Sequence, residues 1–294
     1  MKDINIFCFG FGQVAKNFIN KLIIEKYNIN LSTTSRSESS KETFKGINYN
    51  SYLFNNEKFD QNLIVKLKEA DHILVSIPPK NQEDIVVKNF SKFLESSKVK
   101  WITYLSATSV YGDHKGEWVN ENSKTNPTSS KGVARLKAEN SWVSLEKNTK
   151  LPVQIFRLSG IYSNKNNILV RLKLGGVKLI NKKNHYFSRI HVNDIVNILF
   201  KSLSKFKSGE IFNLSDDKPT SSKEIALYGA KILNIENIEN IENIDVEEIK
   251  SEMLKNFYNE SKRVSNKKVK NYFNYNLMFP SYIEGLNYIR DNFI

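Results

Sequence analysis

Two stretches hold residues that chemistry could use. The first, Gly10-Phe11-Gly12-Gln13-Val14-Ala15, has the spacing Gly-x-Gly-x-x-Ala. A first glycine allows a tight turn, and a second lets backbone approach a pyrophosphate. A small third residue lets helix and strand pack closely, and the helix N-terminus then faces the phosphate charge. The second stretch, Ser32-Thr33-Thr34-Ser35-Arg36-Ser37, carries hydroxyls and an arginine, with no acid before Glu38. An acid at that place would bind the ribose hydroxyls of NAD. Hydroxyls and Arg36 instead suit the 2′-phosphate of NADP, because a guanidinium offers a charge-assisted fork to phosphate oxygens. The expectation is a dinucleotide site with Gly10, Gly12, Gln13, Val14, Ser35 and Arg36, taking NADP in preference to NAD. A plain turn and a solvated Arg36 are the alternative.

Such a site needs a strand before the turn and a helix after it. Residues Ile4 to Phe9 read as a strand, and Val14, Ala15, Phe18, Ile19, Leu22 and Ile23 recur at helical spacing. A second strand is predicted over Ile29 to Thr33, followed by a polar stretch. Phe59 to Ala70 reads as a helix, His72 to Ile77 as a buried strand stopped by Pro78-Pro79, Gln82 to Leu94 as a helix, and Trp101 to Leu105 as a strand. Tyr111 to Ser130 reads as a long polar loop, and Lys131 to Glu146 as a helix. Beyond them come a strand over Val153 to Leu158, a helix over Ile168 to Gly175 and a strand over Lys178 to Ile180. Asn193 to Ser204 is then predicted helical and Ile211 to Leu214 a strand, with a last helix starting near Ser281. This alternation predicts an α/β fold, a doubly wound, mostly parallel sheet covered on both faces. The Asn-Ile-Glu repeat from Asn234 to Asn243 has a period of three, which drifts around a 3.6-period helix; it reads as a surface connection.

Composition narrows the function classes. The 294 residues carry 44 Lys+Arg and 31 Asp+Glu, a net charge of +13. The positive charge comes from 37 lysines and only seven arginines, and asparagine also numbers 37. The lysines are scattered, with no arginine cluster, zinc-finger spacing or stacking platform, so the charge does not point to nucleic acid. The lone Cys8 excludes an internal disulfide and any multi-cysteine metal site, and no metal is expected. No apolar run approaches a membrane span or a secretory signal. The expectation is a cytoplasmic monomer or homodimer acting on a small molecule.

Five further segments carry a resemblance. These are Asp71-His72-Ile73-Leu74-Val75-Ser76-Ile77-Pro78-Pro79, Ser106-Ala107-Thr108-Ser109-Val110-Tyr111-Gly112-Asp113, Arg157-Leu158-Ser159-Gly160-Ile161-Tyr162, Arg189-Ile190-His191-Val192-Asn193-Asp194 and Asn213-Leu214-Ser215-Asp216-Asp217. With the glycine turn, they make the chain resemble an atypical member of the extended short-chain dehydrogenase/reductase family, the NAD(P)-dependent epimerase/dehydratase group. The resemblance implies a Rossmann-type domain over residues 1–165, to which 187–215 return, and a smaller, mostly C-terminal substrate part from 166–186 and 216–294. It also implies cofactor contacts at Ile77, Pro78 and Gly160. Residues 113–130 and 168–185 are expected to line the substrate pocket.

In that family a tyrosine on the helix after the long loop trades a proton with substrate. A lysine four residues later holds the nicotinamide ribose and lowers the tyrosine pKa. Counting back from Glu139, Lys131 stands at the tyrosine place and Arg135 at the lysine place; Ala107 stands where a serine or threonine is usual, beside Thr108. The resemblance therefore implies a non-standard catalytic set of Thr108, Lys131 and Arg135. Lys131 as an acid would need its pKa lowered from about 10.4. Arg135 could clamp ribose or a carboxylate but cannot trade protons. A literal Tyr258-x-x-x-Lys262 lies far from the expected helix and reads as coincidence. The chain is expected to be an oxidoreductase or epimerase/dehydratase-like enzyme, with a catalytically degenerate NADP-binding protein as the alternative.

Overall fold

The computed structural model describes residues 2–294 apart from 56, 176, 178, 183, 236–242, 246–247, 249–250 and 252–257. In chain order its first elements are β1 (Asp3–Phe9), α1 (Gln13–Ile24), β2 (Asn28–Ser35), β3 (Ser40–Phe44), β4 (Ile47–Leu53), α2 (Asn62–Glu69), β5 (His72–Val75), α3 (Ile85–Glu95) and β6 (Trp101–Ala107). A 3₁₀ turn, Thr108–Tyr111, leads to β7 (Trp118–Val119), α4 (Ser130–Thr149), β8 (Val153–Leu158), β9 (Gly160–Tyr162), α5 (Ile168–Lys173), β10 (Leu179–Asn181) and β11 (Arg189–His191). The remainder is α6 (Val192–Ser204), β12 (Ile211–Leu214), α7 (Ser222–Ile232), β13 (Asn243–Asp245), β14 (Arg263–Val264), α8 (Lys267–Phe273) and α9 (Tyr282–Phe293). They fall into two compact units. One is Met1–Ala107, Ser130–Arg157 and Val196–Phe212; the other is Thr108–Ser129, Leu158–Ile195 and Asn213–Ile294.

The first unit is built on an eight-stranded sheet in the order β12-β8-β6-β5-β1-β2-β4-β3. β1 runs parallel to β2, with Ile6 opposite Leu31, and parallel to β5, with Cys8 opposite Leu74. Strand order therefore reverses about β1, and at such a switch point a crevice opens beyond the strands' carboxyl ends. This is the Rossmann-type α/β arrangement expected from the alternation. Apolar runs with few interruptions make β1 and β5 buried on both faces, as parallel strands require. Phe9, Phe54 and Phe90 pack ring against ring at 5.0–5.7 Å in the core beneath the turn.

Between β2 and α2 the sequence reading expected only a polar stretch, whereas the chain forms the antiparallel hairpin β3–β4. β3 is an edge strand whose three central side chains are exposed, so no alternation marks it. β4 buries only Ser51 and Tyr52, too little to show in the sequence. The helix α7 was missed for a related reason. Its buried positions are Ile225, Ala226, Gly229 and Ala230, mostly small residues with a weak apolar signal.

Among the described residues the second unit holds three two-stranded ribbons, β9 with β11, β10 with β13, and β7 with β14. Its core joins Tyr162, Leu169, Ile225, Tyr282, Leu286 and Ile289. The last helix begins where expected: Ser281 accepts from the Ile283 amide, and Glu284 reaches back to the Ser281 amide. Most of the Asn-Ile-Glu repeat lies outside the described residues; Asn243 opens β13.

Candidate functional site

The glycine turn follows from the crowding around it. Gly10 has φ +85°, and a Cβ there would stand 2.7 Å from Ile77 Cγ2 and 3.0 Å from Ser76 Oγ. Only glycine fits. The Gly10 amide donates to Thr34 Oγ1 at 2.9 Å, and Ser76 Oγ donates to the Phe9 and Gly10 carbonyls at 3.0 and 3.1 Å. Two hydroxyls thus lock the turn to the ends of β2 and β5. The sequence reading credited the Thr34 segment to the ribose end; Thr34 instead holds the turn.

Gly12 differs from Gly10. A Cβ on Gly12 would meet nothing within 4 Å, and Gly12 caps α1 without any side-chain hydrogen bond. The first turn of α1 carries no acid. Its amides therefore point their partial positive charge at open space, which suits an anion. Gln13 is exposed there, while Val14 and Ala15 are buried. At the end of β2, Ser35 Oγ lies 3.2 Å from Ser37 Oγ, and the exposed Arg36 accepts from Asn55 Nδ2 through its carbonyl. Pro78 is exposed and Ile77 half-buried, its methyl against the turn. Gly160 is placed elsewhere, on β9 of the second unit.

Lys131 and Arg135 sit four residues apart on α4, hence on one face. Lys131 is exposed. Arg135 is half-buried and donates through Nη1 to the Leu105 carbonyl at 3.0 Å and to Tyr104 Oη at 3.2 Å. It is pinned to the end of β6. No acid lies in the first turn of α4, so two cations stand where the helix dipole and their mutual repulsion disfavour them. Behind them, Asp84 caps α3 through the Val86 and Val87 amides and accepts from Trp142 Nε1 at 3.0 Å. Burial pushes its carboxyl up, against those hydrogen bonds and the Arg135 charge. Glu139 is buried with Arg157, whose Nη2 lies 2.7 Å from Oε2, and it accepts from Ser106 Oγ at 2.5 Å. Ser106 is therefore taken, Ala107 has no hydroxyl, and Thr108 is buried in the 3₁₀ turn of the second unit.

The second unit contains a cavity of about 540 Å³. Gly160, Arg171, Arg189 and Tyr258 line it, together with Ile168, Val177 and Ile180 from one of the two segments expected at the pocket; residues 113–130 do not. Tyr258 packs on His185, ring to ring at 5.0 Å, and burial foremost raises its phenol. Lys262 binds Glu260 Oε2 at 2.7 Å and the Gly112 carbonyl at 2.8 Å. His191 accepts from the Asn193 amide through Nδ1 and packs on Tyr162 and Phe279; burial lowers it to about 4. It is a neutral packing residue at ordinary pH. Among the described residues no helix is long and apolar enough to cross a membrane, and no group of His, Cys, Asp and Glu could hold a metal ion.

Residues 85–215 match the model of the NAD dependent epimerase/dehydratase family. The resemblance read from the sequence holds. The chain is similar over 99% of both lengths to a functionally unknown conserved protein from Silicibacter pomeroyi, at 28% identity and a TM-score of 0.84. It shares its fold with dTDP-glucose 4,6-dehydratase from Bacillus anthracis in complex with NAD, at 17% identity, covering 99% of this chain and 97% of that one, with a TM-score of 0.76. The same holds for UDP-glucuronic acid 4-epimerase from Bacillus cereus in complex with NAD, at 16% identity, 99% of both chains and a TM-score of 0.76. No curated protein matches the chain. Arg189 was not singled out as a site residue from the sequence; Arg171 lies in the 168–185 segment expected at the pocket, and Tyr258 was read as half of a coincidental motif. Only Arg189 lies in a segment of the epimerase/dehydratase pattern, and there the histidine drew attention first.

Proposed function

We propose that the chain is an NAD(P)-dependent enzyme of the epimerase/dehydratase type, acting on a small hydroxy, carbonyl or nucleotide-sugar compound with a non-standard catalytic set. The observation that carries this reading is the pair of glycines: Gly10 locked in the turn, and Gly12 open at the uncapped start of α1. These residues fit a dinucleotide, with the pyrophosphate expected over Gly12 and the α1 amides and the adenosine ribose towards Ser35 and Arg36. Arg36 favours NADP over NAD. A bound nicotinamide supplies or accepts a hydride. Around it, Arg135 offers a fixed cation for ribose hydroxyls or a substrate carboxylate, since β6 already holds its Nη1. Lys131 is the proton or hydrogen-bond donor to a substrate oxygen, and Thr108 a second hydroxyl donor. The folds shared with NAD-bound dehydratase and epimerase structures support the reading.

The replacements at Ala107, Lys131 and Arg135 favour one other reading, a protein that keeps the dinucleotide without hydride transfer. Native mass spectrometry of protein purified without added cofactor, followed by NADPH oxidation against carbonyl and nucleotide-sugar panels, tests both. NADP retained and oxidised in a substrate-dependent way supports the enzyme. Retained cofactor that no panel member oxidises supports the binding protein, and no dinucleotide at all rejects both.

A further inference from the structure

Arg189, on β11, is 9% exposed and lines the 540 Å³ cavity of the second unit. Its Nη1 donates to the Phe187 and Thr220 carbonyls at 3.1 and 3.0 Å. Those carbonyls fix the plane of the guanidinium and leave its other edge, Nε and Nη2, without a protein hydrogen bond among the described residues. No carboxylate among them lies within ion-pair distance. Asp216 is the acid that acts on Arg189 most, yet its buried carboxylate makes no hydrogen bond to the guanidinium and faces the Lys218 and Arg189 backbone amides instead. Burial pushes the Asp216 carboxyl well up, which reduces the counter-charge it offers, and burial lowers Arg189 itself to about 10. A buried guanidinium edge that no protein anion meets is unfavourable. A ligand anion would remove that cost.

The rest of the cavity limits what the anion is attached to. Ile161, Tyr162, Val177, Ile180, Ile225 and Leu286 form its walls. Asn167 is used up: its Oδ1 caps α5 at Val170, and its Nδ2 donates to the Ser163 and Asn164 carbonyls. These walls suit an apolar body, with Asn166, Arg171, Ser222 and Tyr258 the further polar side chains of the lining. The volume lies within the roughly 300–1,000 Å³ usual for small-molecule sites.

We infer that this cavity binds an organic acid, its carboxylate held by the open Nε/Nη2 edge of Arg189 and an apolar body lying against the Ile161, Ile180 and Leu286 walls. As a statement about substrate this rests on the enzyme reading above; as a statement about binding it does not. The test is calorimetric titration of the full chain with 4-phenylbutyrate, its neutral amide 4-phenylbutyramide, and UDP-glucose. The acid is expected to bind at least about tenfold tighter than the amide, the margin of a charge-assisted pair over a neutral hydrogen bond. Arg189→Met should erase that margin, and Ala226→Leu, which fills the cavity, should weaken acid and amide alike. Equal binding of acid and amide, tighter binding of UDP-glucose than of the acid, or no binding of the acid overturns the inference. If Arg189→Met does not fold, the acid-to-amide ratio in the unaltered chain still decides. Acid binding together with no NADPH oxidation by any member of the carbonyl and nucleotide-sugar panels would defeat the enzyme reading and leave this one standing.

Discussion

Arg157 and Glu139 meet in the interior of the first unit, Nη2 2.7 Å from Oε2 and Nε 3.1 Å from both carboxylate oxygens. The pair joins β8 to α4, the helix that carries Lys131 and Arg135, and Ser106 Oγ ties it to β6. Removing one partner leaves the other charged and buried, so Arg157→Met or Glu139→Gln should cost about 3–5 kcal/mol in urea unfolding. The double change Arg157→Met with Glu139→Met should cost clearly less than the sum of the singles. Additive losses would mean that the two residues do not act as a pair.

Gly10 and Gly12 should respond differently to alanine. At Gly10 the positive φ and the 2.7 Å approach of Ile77 make Gly10→Ala destabilising by about 1–3 kcal/mol. At Gly12 the φ of −83° and the empty surroundings make Gly12→Ala nearly neutral in thermal unfolding. Its methyl would instead occupy the space over the α1 amides, so NADPH affinity should drop by about tenfold or more, equivalent to roughly 1.4 kcal/mol. Unchanged affinity in a folded Gly12→Ala would remove the turn from the binding site.

Arg36 is exposed, and among the described residues no carboxylate lies within ion-pair distance of it, so its substitution should not disturb the fold. Arg36→Glu should weaken NADP by tenfold or more while leaving NAD within about threefold, because a carboxylate repels a 2′-phosphate and accepts from ribose hydroxyls. Fluorescence titration with both nucleotides measures the ratio. Equal losses would count against a preference set at this residue.

The order of elements was legible because strands buried on both faces, such as Ile73-Leu74-Val75, and long amphipathic helices leave periods in a sequence. Strand β8 and strand β12 fall where those periods put them. The two-residue ribbon β7–β14 left no such period, nor did β11, because two or three residues are too few for one. The glycine turn was legible from its spacing, which covalent geometry dictates. Arg189 as a cavity residue was not: its setting depends on Phe187, Thr220 and Ile225, brought to it by β9, β11 and α7 from distant parts of the chain. Thr34 shows the same limit, since a hydroxyl at the end of β2 can face a ribose or a backbone amide, and only the packing of Gly10 decides.

His191 gives the fold a marked response to acid. Unfolded, a histidine takes up its proton near pH 6.5. In the fold, burial among the Tyr162 and Phe279 rings lowers His191 to about 4, with Nδ1 held by the Asn193 amide and Nε2 buried without a partner. Between those values the unfolded chain binds a proton that the folded chain refuses. The contribution is therefore whole above about pH 6.5 and is lost as the pH falls towards 4. His72 is lowered to about 4 in the same way, so both histidines act in one direction. Asp84, Asp194 and Asp216, raised by burial, act in the other, taking up protons in the fold first. The total profile mixes the two signs, so the measurement must be a difference. Urea unfolding of the chain and of His191→Phe at pH 7.5 and pH 4.5 should show the variant losing less stability on acidification, by about 2 kcal/mol. Parallel losses would mean that His191 takes up its proton in the fold at the same pH as in the unfolded chain, and hence that at pH 4.5 its Nδ1 is not the acceptor for Asn193.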